Sequence, residues 1–284
     1  MSTLKKEEQI TVTNRDGTGY QIKELLGRND HFNFYKVISD KYPDKSFILK
    51  ISTKKEYNLL LEREAFLLIE MSETADSLDV FYEQEHPGSK LNYQLGFPKL
   101  IDNFVSDDQD NRRILILFLG INPNLSEVVP ISLIRTIDKV RVDPKTSVWI
   151  LGKLLKIISF AHDSYLKVGN LDGENIFIEK NNHLVTIFDW SNAMMKPEIL
   201  PKSLVLDEVR CAVKAIVTLL GGDPETGIIP DHEQLSGSGV KYQELLVYLL
   251  TEDFKSTYDV HHYFYETVEE IWGRKYHPYT TIPM

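Results

Sequence analysis

One cysteine, Cys211, occurs in 284 residues, so no disulfide can form within the chain. That scarcity fits a reducing compartment. No uninterrupted apolar run approaches the roughly 20 residues that a membrane-spanning helix needs. The first residues, Met1 to Gln9, are charged and lack the apolar core of a secretory signal. Basic residues are also outnumbered: 32 Lys and Arg face 42 Asp and Glu, for a formal net charge of −10. Nucleic acids and anionic membrane surfaces attract basic patches, so neither is expected as a partner. These absences together predict a cytoplasmic chain. What is present is a hydrophobic content of 42%, enough to build a sizeable core in one large domain or two lobes.

The pattern along the chain divides near residue 120. Before it, short extended runs dominate: Ile10 to Val12, Tyr20 to Leu26, Phe34 to Ser39, Ser46 to Ile51, Phe97 to Val105 and Ile114 to Leu119. Asp16-Gly17 marks a hairpin turn between the first two. The exception is Lys54 to Met71, where Leu60, Glu64, Leu67, Leu68 and Met71 recur at helical spacing. Residues 72–96 carry Pro87-Gly88 and no sustained period, which predicts an irregular insertion and a candidate contact surface. After Gly120, helices take over. Asp143-Pro144 places a capping carboxylate before a proline at the first helical position. Val148, Leu151, Leu155, Ile158 and His162 follow on one face. Asn175 to Ile178 and Leu184 to Phe188 read as a hairpin, and Asp207 to Leu220 and Tyr242 to Leu250 as helices. Cys211 is assigned to an apolar helix face in the core, and His261-His262 to a helix surface without a third metal ligand.

The densest chemical signal is Val168-Gly169-Asn170-Leu171-Asp172-Gly173-Glu174-Asn175, followed across the hairpin by Ile187-Phe188-Asp189-Trp190-Ser191. An amide oxygen at Asn175 and a carboxylate at Asp189 are the donor types that hold hard cations bridging phosphates. Both segments resemble the catalytic loop and the Asp-Phe-Gly metal motif of protein kinases, at the family's spacing. Phe47-Ile48-Leu49-Lys50 resembles the strand presenting the phosphate-binding lysine, and Glu64 stands where that lysine's partner belongs. Gly27 to Val37 aligns without gaps to the glycine-rich loop. Val142-Asp143-Pro144-Lys145, Gly221-Gly222-Asp223-Pro224 and Trp272-Gly273-Arg274-Lys275 add a similarity to divergent kinase-like proteins of bacteria and phages. The resemblance implies an α+β, protein-kinase-like bilobal fold. Residues 1–120 would form an N-lobe with an antiparallel sheet and one helix, and residues 121–284 a mainly helical C-lobe. It further implies a nucleotide site of Gly27, Phe34, Ile48, Lys50, Glu64 and Phe177, a metal site of Asn175 and Asp189, and Mg-ATP as the cofactor to consider.

Several positions depart from the family pattern. Asn29 and Phe32 replace the second and third glycines of the loop, which would keep the backbone away from phosphates. Phe34 and Ile48 add bulk where the purine would lie. Asn170 occupies the place of the catalytic aspartate, and an amide cannot take a proton at neutral pH; a positioned base is worth about 10²–10⁴-fold. Asp172 replaces a lysine and is a candidate displaced base. Only seven residues lie between Asp189 and Pro197-Glu198, leaving little platform for a peptide. The residues therefore predict a pseudokinase that binds a protein partner. The alternative is an atypical ATP/Mg-dependent kinase or other phosphoryl or nucleotidyl transferase working through Lys50, Glu64, Asn175 and Asp189. A small-molecule kinase ranks lower, because those keep an aspartate at the position of Asn170. Lys50 and Glu64 also admit a plain reading as a structural ion pair, as do Asn175 and Asp189 as turn-stabilising residues.

Overall fold

The computed structural model describes residues 10–230, 237–275 and 277–284. The reading of Met1 to Gln9 lies outside the described residues. The chain divides into two compact units, one of residues up to Glu70 plus Pro98–Leu125, the other of Met71–Phe97 plus Ser126–Met284.

The first unit is a six-stranded antiparallel sheet. Its strands are β1 (Thr11–Thr13), β2 (Gly19–Arg28), β3 (Phe32–Ser39), β4 (Ser46–Ser52), β5 (Lys99–Ser106) and β6 (Arg112–Phe118), ordered β1-β2-β3-β4-β6-β5. Asn14 makes the first turn: its side-chain oxygen accepts from the Asp16 and Thr18 amides, and Gly17 takes φ +84. The sheet curls until non-adjacent strands meet. Tyr20 on β2 stacks on Phe104 of β5 at 6.2 Å, and its hydroxyl donates to Asp102 at 2.8 Å. Period-two alternation sends Val37, Phe47, Leu49, Ile51, Ile114 and Ile116 into the enclosed core. The opposite face of β4 carries Ile48, Lys50 and Ser52, also buried.

Helix α1 (Asn58–Glu85) begins where Asn58 accepts from the Ser52 hydroxyl at 2.7 Å and from the Arg113 amide at 2.8 Å. It corrects one expectation. The helix continues 14 residues beyond Met71, through most of the segment read as an irregular insertion. Met71, Ala75 and Asp79 share its buried face. Asp79 hides the helical period, because a carboxylate stands where an apolar residue would mark the stripe. It is buried because it accepts from the Leu91 and Asn92 amides at 2.7 and 3.2 Å, tying residues 86–96 back to the helix.

The second unit contains β7 (Val129–Pro130), α2 (Ile131–Thr136), β8 (Val140–Val142), α3 (Pro144–Asp163), β9 (Leu166–Lys167), β10 (Ile176–Glu179), β11 (Leu184–Ile187) and β12 (Met194–Met195). Helices α4 (Lys202–Leu219), α5 (Ser238–Thr251) and α6 (Thr257–Trp272) and strand β13 (Thr281–Pro283) complete it. Helix α3 starts as read, with the Asp143 carboxylate accepting from the Lys145 amide at 2.8 Å. Fifteen of its 20 residues are buried, which makes it the axis of the unit. The β10–β11 hairpin is closed by Glu179, whose carboxylate accepts from the Asn181 and Asn182 amides and the Asn182 side chain, each at 2.8 Å. Burial pushes that carboxyl up, and these bonds outweigh it, holding it below the usual range. Cys211, expected in the core, is exposed. Ala212, Val213, Ile216 and Val217 take the buried face of α4, and residue 211 falls off that stripe.

Helix α6 lies against α3, with Tyr265 approaching so closely at Gly152 that a methyl group there would meet its ring. His261 sits half-buried edge-on to Tyr265 at 4.8 Å. Burial, with help from the Lys156 and His262 charges, lowers its pKa to about 4. An unfolded histidine titrates near 6.5. Between the two values the unfolded chain binds a proton that the folded chain refuses, so stability falls as pH is lowered through that window. The slope from this group is at most about 1.4 kcal/mol per pH unit. His261→Gln should therefore flatten the decline of the urea midpoint between pH 6.5 and 4. An unchanged slope would remove His261 as a source of acid sensitivity.

Candidate functional site

The turn between β2 and β3, in the segment that resembles a glycine-rich loop, is closed on itself. The Asn29 side-chain oxygen accepts from the His31 amide at 3.0 Å and the Phe32 amide at 2.8 Å, while the Asn29 amide donates to the Phe32 carbonyl. Thr53, just after β4, binds the turn, its hydroxyl donating to the Asp30 carbonyl at 2.9 Å. Amides that would face an anion in an open loop are thereby used within the turn. Gly27 lies in β2 with an ordinary φ and open space at its Cα, so neither strain nor crowding demands a glycine there.

Antiparallel register then fixes what lies over the lysine. Phe34 pairs with Lys50 and Phe32 with Ser52, so both rings share the face of Lys50. Phe32 is 1% exposed and its ring centroid lies 4.3 Å from the Lys50 ammonium; Phe34 lies at 5.6 Å. From α1, Glu64 reaches the same nitrogen at 2.6 Å. Lys50 and Glu64 are both fully buried, and the predicted pair is formed. Ile48, two residues before Lys50, is buried on the same strand face.

In the second unit, the segment 168–175 is held by a residue that the sequence reading passed over. Glu208 on α4 is 5% exposed, yet its carboxylate accepts from the Val168 amide at 3.0 Å and the Gly169 amide at 2.6 Å. The His162 ring nitrogen Nε2 lies 2.8 Å from the same carboxylate, and Nδ1 lies 2.6 Å from the Thr257 hydroxyl. The sequence contains a signal for it: an acid inside the apolar stripe Val205, Val209, Ala212, Ile216. Asp207, read as opening this helix, is its neighbour and points outward; the helix begins at Lys202. Gly169 has φ +95, and a Cβ there would fall 2.6 Å from the Asn192 carbonyl oxygen, so the position admits only glycine without movement.

The polar residues of this loop are bonded mostly to backbone. Asn170 accepts from the Asp172 amide at 3.2 Å. Asp172 is exposed, and its Oδ1 accepts from the Glu174 and Asn175 amides at 2.9 and 3.0 Å, as a turn-forming carboxylate does. Asn175 donates to the Asn170 and Asp189 carbonyls, both at 2.9 Å, and its oxygen accepts from the Asp189 amide at 2.6 Å. Asp189 in turn accepts from the Ser191 amide at 2.8 Å. Asn175 and Asp189 are thus brought together as the sequence predicts, joined through backbone. Among the described residues, no group of three or more His, Cys, Asp or Glu is placed to hold a metal. Phe177 on β10 packs against Phe188 at 5.1 Å. Val168 and Trp190 are fully buried, with Trp190 edge-on to Phe97 at 6.3 Å. Ser191, the one hydroxyl on the short segment before Pro197, is 2% exposed.

No protein-family model matches the sequence, and no curated protein does. Solved structures do. The structure of vaccinia related kinase 3 superposes with a TM-score of 0.61 at 15% identity, over 95% of this chain and 93% of that one. The BubR1 kinase domain gives 0.61 at 10% identity, over 95% and 90%. The PknI kinase domain of Mycobacterium tuberculosis gives 0.50 at 13% identity, over 93% and 100%.

The chain has the protein-kinase-like fold. In that frame the curled antiparallel sheet is the N-terminal lobe and the helical unit the C-terminal one. Phe32 lies at the start of β3 in this kinase-like sheet, and Glu208 anchors the backbone of Val168 and Gly169.

Because Glu208 receives two amides and a ring nitrogen in a buried place, Glu208→Gln should destabilise the protein by about 2–4 kcal/mol in urea denaturation. The neighbouring Asp207→Asn, whose side chain is 75% exposed, should stay within about 0.5 kcal/mol. Equal effects at the two positions would mean that the loop does not depend on Glu208.

Proposed function

We propose that this kinase-like chain is a non-catalytic binding protein, a pseudokinase that acts through a protein partner rather than by phosphoryl transfer. The observation that carries the reading is the closed β2–β3 turn with Phe32 buried over the Lys50 ammonium. A triphosphate needs open backbone amides and an accessible cation. Here the amides are spent inside the turn and Lys50 has no exposed surface. Mg-ATP does not fit this arrangement. Asn170 adds support, since its amide can orient a hydroxyl without accepting the proton. With its carboxylate accepting backbone amides, Asp172 is poorly suited to serve as a displaced base. The acidic balance of the chain supports a protein partner over a nucleic acid or an anionic membrane, and among the described residues no helix is long and apolar enough to cross a membrane.

A second reading, an ATP-dependent transferase, is favoured by the formed Lys50–Glu64 pair and by the adjacency of Asn175 and Asp189. Thermal unfolding with and without millimolar Mg-ATP separates the two. A nucleotide at 100 times its dissociation constant would add about 2.7 kcal/mol, easily read as a rise in midpoint. The pseudokinase reading expects no rise. A rise that Asp189→Ala removes, with turnover of ATP, would replace it by the transferase reading.

The obstruction has its own test. Opening the turn and the ring contact together, with Asn29→Gly and Phe32→Gly, should create a Mg-ATP-dependent stabilisation absent from the parent. Calorimetric titration that detects no nucleotide binding in a folded double variant would mean that Phe32 and its turn are not what closes the site.

A further inference from the structure

Beside the catalytic-loop segment, wholly within the second unit, lies a cavity of about 790 Å³ between α2, α4 and residues 169–174. Its volume is that of a small-molecule site. One helical stripe of α4, Cys211, Lys214, Ala215 and Thr218, forms a wall, with Ile131 and Leu219 as apolar floor.

The charges are arranged in order along that wall. At one end stands Asp172, whose charge is felt at Cys211. In the middle, Lys214 is neutralised by Glu225, bonded to both carboxylate oxygens at 2.9 and 2.8 Å. Arg135 and Lys139 stand at the far end. The Arg135 guanidinium donates from Nη1 to the Thr218 carbonyl at 2.8 Å, which places it against the last turn of α4. Its Nε is buried and finds no hydrogen-bond partner among the described residues. Lys139 is exposed, and its carbonyl accepts from the Met284 amide at 3.3 Å, which brings Met284 to the same end of the cavity. Asp172, Glu174 and Glu225 also line the cavity, but among the described residues no ion pair joins a carboxylate to Arg135 or Lys139, so this end keeps two cations open to an added acid group.

We infer that this cavity is a binding site for a small amphiphilic organic anion, an aryl or alkyl body carrying one carboxylate or sulfonate. The acid group lies against Arg135 and Lys139, and the body lies over Ile131, Ala215 and Leu219. Occupancy bears on the loop that carries Asn170 and Asp172, because that loop is one wall of the chamber. The inference does not depend on whether the protein transfers phosphate.

The probe is anilinonaphthalene sulfonate, titrated into the full chain and followed by fluorescence and by the unfolding midpoint, with its neutral analogue phenylnaphthylamine as control. The sulfonate should bind one-to-one, raise the midpoint, and slow amide exchange at residues 169–174. Ala215→Trp, which fills the chamber from a half-buried position, should abolish binding while circular dichroism stays unchanged. Lys139→Glu should weaken it roughly tenfold, the scale of one charge-assisted contact. Binding undiminished in both variants would overturn the site. So would equal affinity for the neutral analogue, since the cationic end would then select nothing.

Discussion

The buried pair of Lys50 and Glu64 is the constraint on which the rest of the first unit depends. An ammonium and a carboxylate each cost several kcal/mol to bring out of water, and only close pairing offsets this. At 2.6 Å, with no solvent exposure on either side chain, the pair links β4 to α1 and fixes which residues of each face inward. The aromatic rings of Phe32 and Phe34 complete the enclosure, and a cation over a desolvated ring gains about 2 kcal/mol or more. For Phe32 to lie there, the turn before it must be tight, and Asn29 makes it so by drawing the turn's amides onto its own side chain. Lys50 thereby serves as a structural cross-link between β4 and α1.

The second unit follows a similar logic with the charge reversed. Glu208 is a buried acceptor that gathers two loop amides and a histidine ring. The loop's path is therefore set by the helical scaffold and needs no ligand. Side chains on the loop were free to change without loss of its shape: Asn170 and Asp172 close turns, and Gly169 meets the close approach of Asn192. The likeness in fold to solved kinase domains holds at 10–15% identity.

Much of this was legible in the sequence where a local rule acts alone. The strand alternation around Val37, Phe47 and Ile114, the Asp143 cap and the β10–β11 hairpin each follow from spacing and turn chemistry. So does the pairing of Lys50 with Glu64, given the motif order. The failures share one cause. Asp79 and Glu208 are carboxylates at core-facing positions, where each is satisfied by backbone amides far along the chain. A polar residue inside an apolar stripe reads as a break in the pattern, which hides the end of α1 and places the start of α4 at Asp207 rather than Lys202. Cys211 shows the converse: an apolar type that lies one position off the buried stripe.

The sequence by itself determined the kinase-like order of elements and the presence of an amide, not a carboxylate, at residue 170, because these depend on residue type and spacing. Tertiary structure decided whether the remaining site is open. Whether Phe32 points into solvent or over Lys50, and whether the turn amides face outward or inward, depends on cross-strand register and on a side-chain hydrogen bond at Asn29. Neither leaves a periodic trace in the chain. The same holds for the cavity beside α4, which exists only because α2, the catalytic-loop segment and α4 enclose space that none of them defines alone.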